Sequence, residues 1–156
     1  HSPASYERSP YPFATVNRFG EGKAVYIAGS VFSIYWQTNH HWLRQFVEAL
    51  LRHVDERMPY HVNAAPTIEA NLMRDGDDLL LNLIHYALGH QGGQSAISAI
   101  EKVHPVHNIP CSVRASGVRD VVLEPEGVAI PFECKDGLCC FTVPEIEYLA
   151  IVRLVR

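Results

Sequence analysis

The sequence predicts an α+β chain: a strand and amphipathic helix left from an α/β domain, residues 1–58, followed by an antiparallel β-sandwich, residues 59–156. Three observations point there. From Ala65 onward, about seven short apolar runs recur at regular spacing between Asp-Gly and Pro/Gly turns, the pattern of a small sandwich. Only one segment, Trp42 to Val54, has helical periodicity. And 156 residues that are 47% hydrophobic can bury a core without staples. The alternative is one continuous α+β domain with the helix lying on a sheet.

Taken in order, His1 to Pro10 reads as linker. No basic segment leads into an apolar stretch there, so no signal peptide is expected. Pro12 to Phe19 reads as a short extended piece. After the turn Gly20-Glu21-Gly22, Lys23 to Ala28 is a nearly continuous apolar run, expected to be a buried strand of an α/β sheet. Val31 to Gln37 is aromatic-rich without a clean period and is expected to be a loop or short helical turn. In the next segment Trp42/Leu43, Phe46, Val47, Leu50, Leu51 and Val54 form an apolar stripe opposite Arg44, Gln45, Glu48, Arg52 and Asp55. The expectation is a helix of about five turns, capped by Thr38 or Asn39 and stopped by Pro59.

In the second half, Ile68, Ala70 and Leu72 alternate with polar neighbours, and Asp75-Gly76 signals a hairpin into Leu79–Tyr86, apolar enough to be central. Ala87 to Ala96 reads as a mobile loop. Ile109, Cys111, Val113 and Ala115 alternate, as do Val128, Ile130, Phe132 and Cys134, with Val118–Leu123 between them. Lys135-Asp136-Gly137 turns into Leu138–Val143. Pro144 to Glu147 is expected to break that run before a last strand, Tyr148 to Val155.

The cysteines Cys111, Cys134, Cys139 and Cys140 are too sparse for a disulfide scaffold and read as buried thiols. The compact disulfide that competes with this reading joins Cys134 to Cys139 or Cys140 across a tight hairpin. Buried thiols fit a reducing compartment, so a cytoplasmic location is weakly favoured. Among nine histidines, His104 and His107 with Cys111 are the tightest cluster. His-x-x-His on an extended segment throws the rings apart, so no metal is expected there. His40-His41 at the helix start reads as a solvated or interface pair, and His53 suits the negative end of the helix dipole. The net charge of −4 argues against nucleic acid, and no run is long enough for a membrane span.

A family resemblance follows from particular stretches. Phe19-Gly-Glu-Gly-Lys-Ala-Val-Tyr-Ile-Ala-Gly29, then Tyr35-Trp36, then a helix, resembles the end of the amidotransferase-like "β-galactosidase trimerisation" domain. Ala65-Pro-Thr-Ile-Glu69, Leu79–Tyr86, Ile109–Arg114 and Val143–Tyr148 resemble the C-terminal β-sandwich of the same multidomain glycoside hydrolase-like proteins, α-L-fucosidases and β-galactosidase relatives. These are turn and strand patterns rather than catalytic signatures. Where such sandwiches often show His-Leu-Val-Asn-Tyr, this chain has Asn82-Leu-Ile-His-Tyr86, with the two polar residues exchanged.

The resemblance implies a glycoside hydrolase whose catalytic carboxylates sit on a barrel preceding both pieces. It implies no working Cys nucleophile in the amidotransferase-like part, and this chain has no Cys before Cys111. The expected role is a non-catalytic accessory region that packs on the catalytic barrel of the same protein and supports a homo-oligomer. No catalytic residue, cofactor or metal is expected. The candidate interface residues are Phe32, Tyr35, Trp36 and Trp42.

Two other functions compete. A carbohydrate-binding sandwich would need flat aromatics facing solvent. Beyond residue 58 the aromatics are Tyr60, Tyr86, Phe132, Phe141 and Tyr148, most at positions expected to face inward. A small independent enzyme could use Cys111 with His107 or His85. Cys111 alternates with Ile109 and Val113, however, and so belongs to the core face, where a thiol is inert.

Overall fold

The computed structural model describes residues 9–38, 40–55, 57–86 and 102–156. It divides into two compact units, His1–Met58 and Pro59–Arg156. The expected mobile loop at 87–96 lies outside the described residues, as does Asn39.

In the first unit, β1 (Ala14–Phe19) and β2 (Gly22–Ile27) form a two-stranded antiparallel hairpin, with Phe19 opposite Gly22. Gly20 takes φ +59° in the two-residue turn, a conformation that glycine adopts without a Cβ penalty. The expected buried strand is therefore corrected. Among the described residues β2 pairs only with β1, and of its own residues only Val25 and Ile27 are even half-buried. The aromatic stretch after it is a full helix, α1 (Val31–Thr38), in which the Thr38 hydroxyl donates back to Ile34 O at 2.7 Å.

Helix α2 (His41–Val54) is shorter than expected. His40 occupies the N-cap without a side-chain hydrogen bond, so Thr38 is not the cap. At the other end Asp55 is already extended, and its carboxylate accepts the Arg57 N–H at 2.9 Å. That local turn competes with further helix and ends it before Pro59. Lys23 Nζ from β2 donates to His53 O at 2.8 Å, placing a cation on a carbonyl of the last helical turn. Phe13 packs its ring against Phe46, with centroids 5.7 Å apart, and lies over Gly29, where a Cβ would meet the ring at 2.6 Å.

The second unit is a β-sandwich of two antiparallel sheets. One has four strands in the order β3 (Tyr60–Val62), β6 (Val106–Arg114), β10 (Leu138–Ile146), β9 (Phe132–Lys135). The other has five, in the order β4 (Ile68–Asp75), β5 (Asp78–His85), β11 (Leu149–Val155), β7 (Asp120–Glu124), β8 (Val128–Ala129). Alternate residues of each sheet meet in one core: Leu81, Leu83, Val121, Val152 and Leu154 from one side, Ile109, Val113, Phe141 and Val143 from the other. Tyr60 links the two sheets, donating its hydroxyl to Ala70 O at 2.8 Å.

Three expectations about strands change. The alternating run from Val128 to Cys134 is two strands in different sheets, divided around Pro131. The inward positions of the run are Ile130, buried at the crossing, and the half-buried Phe132, whereas Val128 on β8 is exposed. Strand β10 continues through Pro144, which stands where β9 no longer pairs, a flank that tolerates a residue without N–H. The Asp136-Gly137 turn has φ +52° and +75°, both positive, matching the mirror-image turn that suits twisted hairpins.

The cysteine reading is also corrected. Cys134 and Cys139, directly opposite on β9 and β10, are joined by a disulfide, while Cys140 is exposed and Cys111 buried. Neighbours on a strand face opposite sides, so Cys140 points away from Cys134. The bond removes the thiol argument for a reducing compartment. Among the described residues no helix is long and apolar enough to cross a membrane.

Candidate functional site

The four candidate interface residues sit on the two helices of the first unit. Phe32 and Trp36, four apart on α1, share a face and are 65% and 90% exposed. Trp42 at the start of α2 is 65% exposed. Tyr35 differs: it is half-buried and shares the side of Val31, which is buried. The exposed set thus comprises Phe32, Trp36 and Trp42, with Ile34 also exposed on α1.

His41 lies between aromatic neighbours. Its ring is 4.7 Å from that of Trp42 and 5.7 Å from that of His40, stacked at 24° to the latter. The ion pair Glu48–Arg52, at 2.8 Å on α2, is half-exposed and contributes little. Large aromatic side chains of this kind are enriched at interfaces between proteins.

The second unit keeps the imagined Cys–His chemistry apart. Cys111 donates to Ile109 O at 3.5 Å, and burial pushes its thiol up to about 12, far from a working thiolate. His107 Nδ1 lies 3.2 Å from the Glu145 carboxylate directly across the ladder. His85 Nδ1–H donates to Glu147 O at 3.0 Å. Neither imidazole is engaged with Cys111. Among the described residues no three His, Cys, Asp or Glu side chains converge as metal ligands.

The charged groups with clear partners form a brace at one end of the sandwich. Arg153 on β11 reaches Asp78 and Glu124 at 3.2 Å and Asp75 at 3.3 Å. The backbone N–H of Arg156, above all, and then the Arg153 guanidinium hold the Asp78 carboxyl below the usual carboxylate range. Arg119 donates to Arg156 O in the same cluster. Every member has a structural partner, so the brace ties β5, β7 and β11 together rather than holding a reacting group ready.

Of the late aromatics, Phe141 is buried, and Phe132 and Tyr60 pack against the core. Most of the five thus face inward as expected, and Tyr86 and Tyr148, 52% and 58% exposed, are the two that do not. They lie just outside β5 and β11, where strand alternation no longer applies.

No family model matches the sequence, and no curated protein does. Solved structures do. A cycloisomaltooligosaccharide glucanotransferase of Paenibacillus sp., complexed with cycloisomaltoheptaose, is 15% identical over 61% of this chain and 16% of its own, with a TM-score of 0.45. The α-L-fucosidase isoenzyme 2 from Paenibacillus thiaminolyticus is 22% identical and covers 97% of this chain with a TM-score of 0.81. This chain spans 23% of that one. The likeness is one of fold: nearly all of this chain is built like a stretch of an α-L-fucosidase.

Proposed function

We propose that this chain is a non-catalytic accessory region of a glycoside hydrolase-like enzyme of the α-L-fucosidase kind. It packs on the catalytic barrel of the same protein and supports oligomerisation. The observation that carries the reading is the extent of the fold likeness, 97% of this chain against 23% of the fucosidase chain. A fold that occupies so small a share of an enzyme accompanies a larger body of protein there. The exposed Phe32, Trp36 and Trp42 support the reading, because large apolar side chains left to solvent, two of them on one helix face, suit an interaction site.

Two measurements on the 156-residue chain test it. Incubated with 4-nitrophenyl α-L-fucoside, the chain releases no nitrophenol. In sedimentation velocity it self-associates, and Phe32→Ser with Trp36→Ser weakens that association by about thirtyfold, the roughly 2 kcal/mol of an interface hot spot. Turnover by the chain alone, or a monomer at every concentration, overturns the reading.

A further inference from the structure

The outer face of the four-stranded sheet brings together four residues that are far apart in the chain. The ladder sets His61 opposite Ser112, Ser112 opposite Cys140, and Cys140 opposite Glu133. One polar row therefore crosses all four strands, over about 14 Å at the usual strand spacing. A second row lies two residues further along. There Thr142 is opposite Pro110, whose carbonyl accepts the Asn63 N–H at 2.9 Å. Pro131 enters beside it just before β9. The two rows line an open groove of about 680 Å³, within the range of small-molecule sites.

The chemistry of this groove is specific. It offers hydroxyls from Ser112 and Thr142, an amide from Asn63, an imidazole from His61 and a carboxylate from Glu133. Together these both donate and accept hydrogen bonds. The rings of Pro110 and Pro131 give apolar surface beside them. No lysine or arginine lines it and Glu133 is its carboxylate, so a phosphate or another anion would be repelled rather than paired. A flat apolar ligand would cover the Ser112 and Thr142 hydroxyls and the Glu133 carboxylate without bonding them.

We propose that this groove binds a neutral saccharide, its hydroxyls meeting the two polar rows and its C–H face meeting the proline rings. The inference goes beyond the assembly reading and does not depend on it. No tryptophan platform is required, because the ladder itself spaces the hydrogen-bonding groups.

Cys140 provides the test, because it is exposed in the floor of the groove. Cys134 and Cys139 are bonded to each other, and Cys111 is buried, so an alkylating reagent has one site in the folded chain. The rate of N-ethylmaleimide addition to Cys140 is followed by intact mass, with free glutathione in the same tube as the reference thiol. D-glucose, D-galactose, L-fucose and their disaccharides are titrated in turn. Protection is expected to be saturable for at least one of them. At ten times its Kd the rate falls about tenfold by mass action, while glutathione is unaffected. Ser112→Ala and Glu133→Gln, on the solvent face, are expected to keep the fold and shift the protection curve to higher saccharide. Absence of protection by every saccharide overturns the proposal. So does protection unchanged by both substitutions, or protection by lysine ethyl ester alone.

Discussion

The two units use apolar residues in opposite ways. In Pro59–Arg156 the strands direct alternate residues into a common core, and Leu81, Leu83, Val113, Val121, Val143, Val152 and Leu154 are fully buried. In His1–Met58 only Val31 is buried among the described residues, although α2 has the clearest amphipathic pattern in the chain. Leu43, Phe46, Val47 and Leu50 reach only half-burial against their neighbours. Periodicity measures which residues share a face. It does not measure whether enough surface lies opposite to cover them.

This contrast can be broken or sharpened by experiment. The largest effect is expected from Leu81→Ala, which removes methyl groups from a site with no exposure and costs about 2–5 kcal/mol in urea unfolding. Leu50→Ala on α2 is expected to cost clearly less, and equal losses would erase the distinction between the units. Next, reduction of Cys134–Cys139, or the double change to Ser, should destabilise the sandwich by about 2 kcal/mol, the chain-entropy value for so short a loop. The far-ultraviolet signature of α2 should survive at the same urea concentration if the units unfold separately. Tyr60→Phe removes the hydroxyl between the sheets and is expected to cost about 1 kcal/mol, read as a lower unfolding midpoint at unchanged slope.

The smallest effect concerns acid. The Asp78 carboxyl titrates lower in the folded chain than in the unfolded one. Its contribution is therefore present above the unfolded value near about 3.9 and is lost as pH falls through the folded value. Asp78→Asn should lower the melting temperature at neutral pH and flatten its decline below that range. A decline as steep as in the unaltered chain would show that the brace around Arg153 does not set the acid limit.

Much of the sandwich was legible because alternation and turn chemistry agreed. Asp136-Gly137 demanded a tight hairpin, and Ile109, Cys111 and Val113 shared one face, as found. The switch between β8 and β9 was hidden by the same alternation, which continues through Pro131 whichever sheet each half joins. Helix α1 was hidden by its length, since eight residues show barely two turns of period. The disulfide was hidden because Cys139 and Cys140 are adjacent, and only the register decides which faces Cys134. The exposed aromatics Phe32, Trp36 and Trp42 were legible as candidates, whereas the inward side of Tyr35 needed the helix. The groove could not be read in advance, because His61, Ser112, Glu133 and Cys140 become neighbours only through three separate strand pairings.

The lengths of the outermost strands have a consequence for how this protein meets others of its kind. Among the described residues, three of the four margins of the sandwich carry very short strands: β3 has three residues, β8 two and β9 four. Such margins present too few unpaired backbone groups to template a foreign chain. The fourth, β4, runs eight residues from Ile68 to Asp75 along the rim of the five-stranded sheet. Glu69, Arg74 and Asp75 place charge along it, the usual guard against unwanted strand addition. Among the described residues β4 is the longest strand at a margin of the sandwich, and its guard against strand addition is charge rather than shortness.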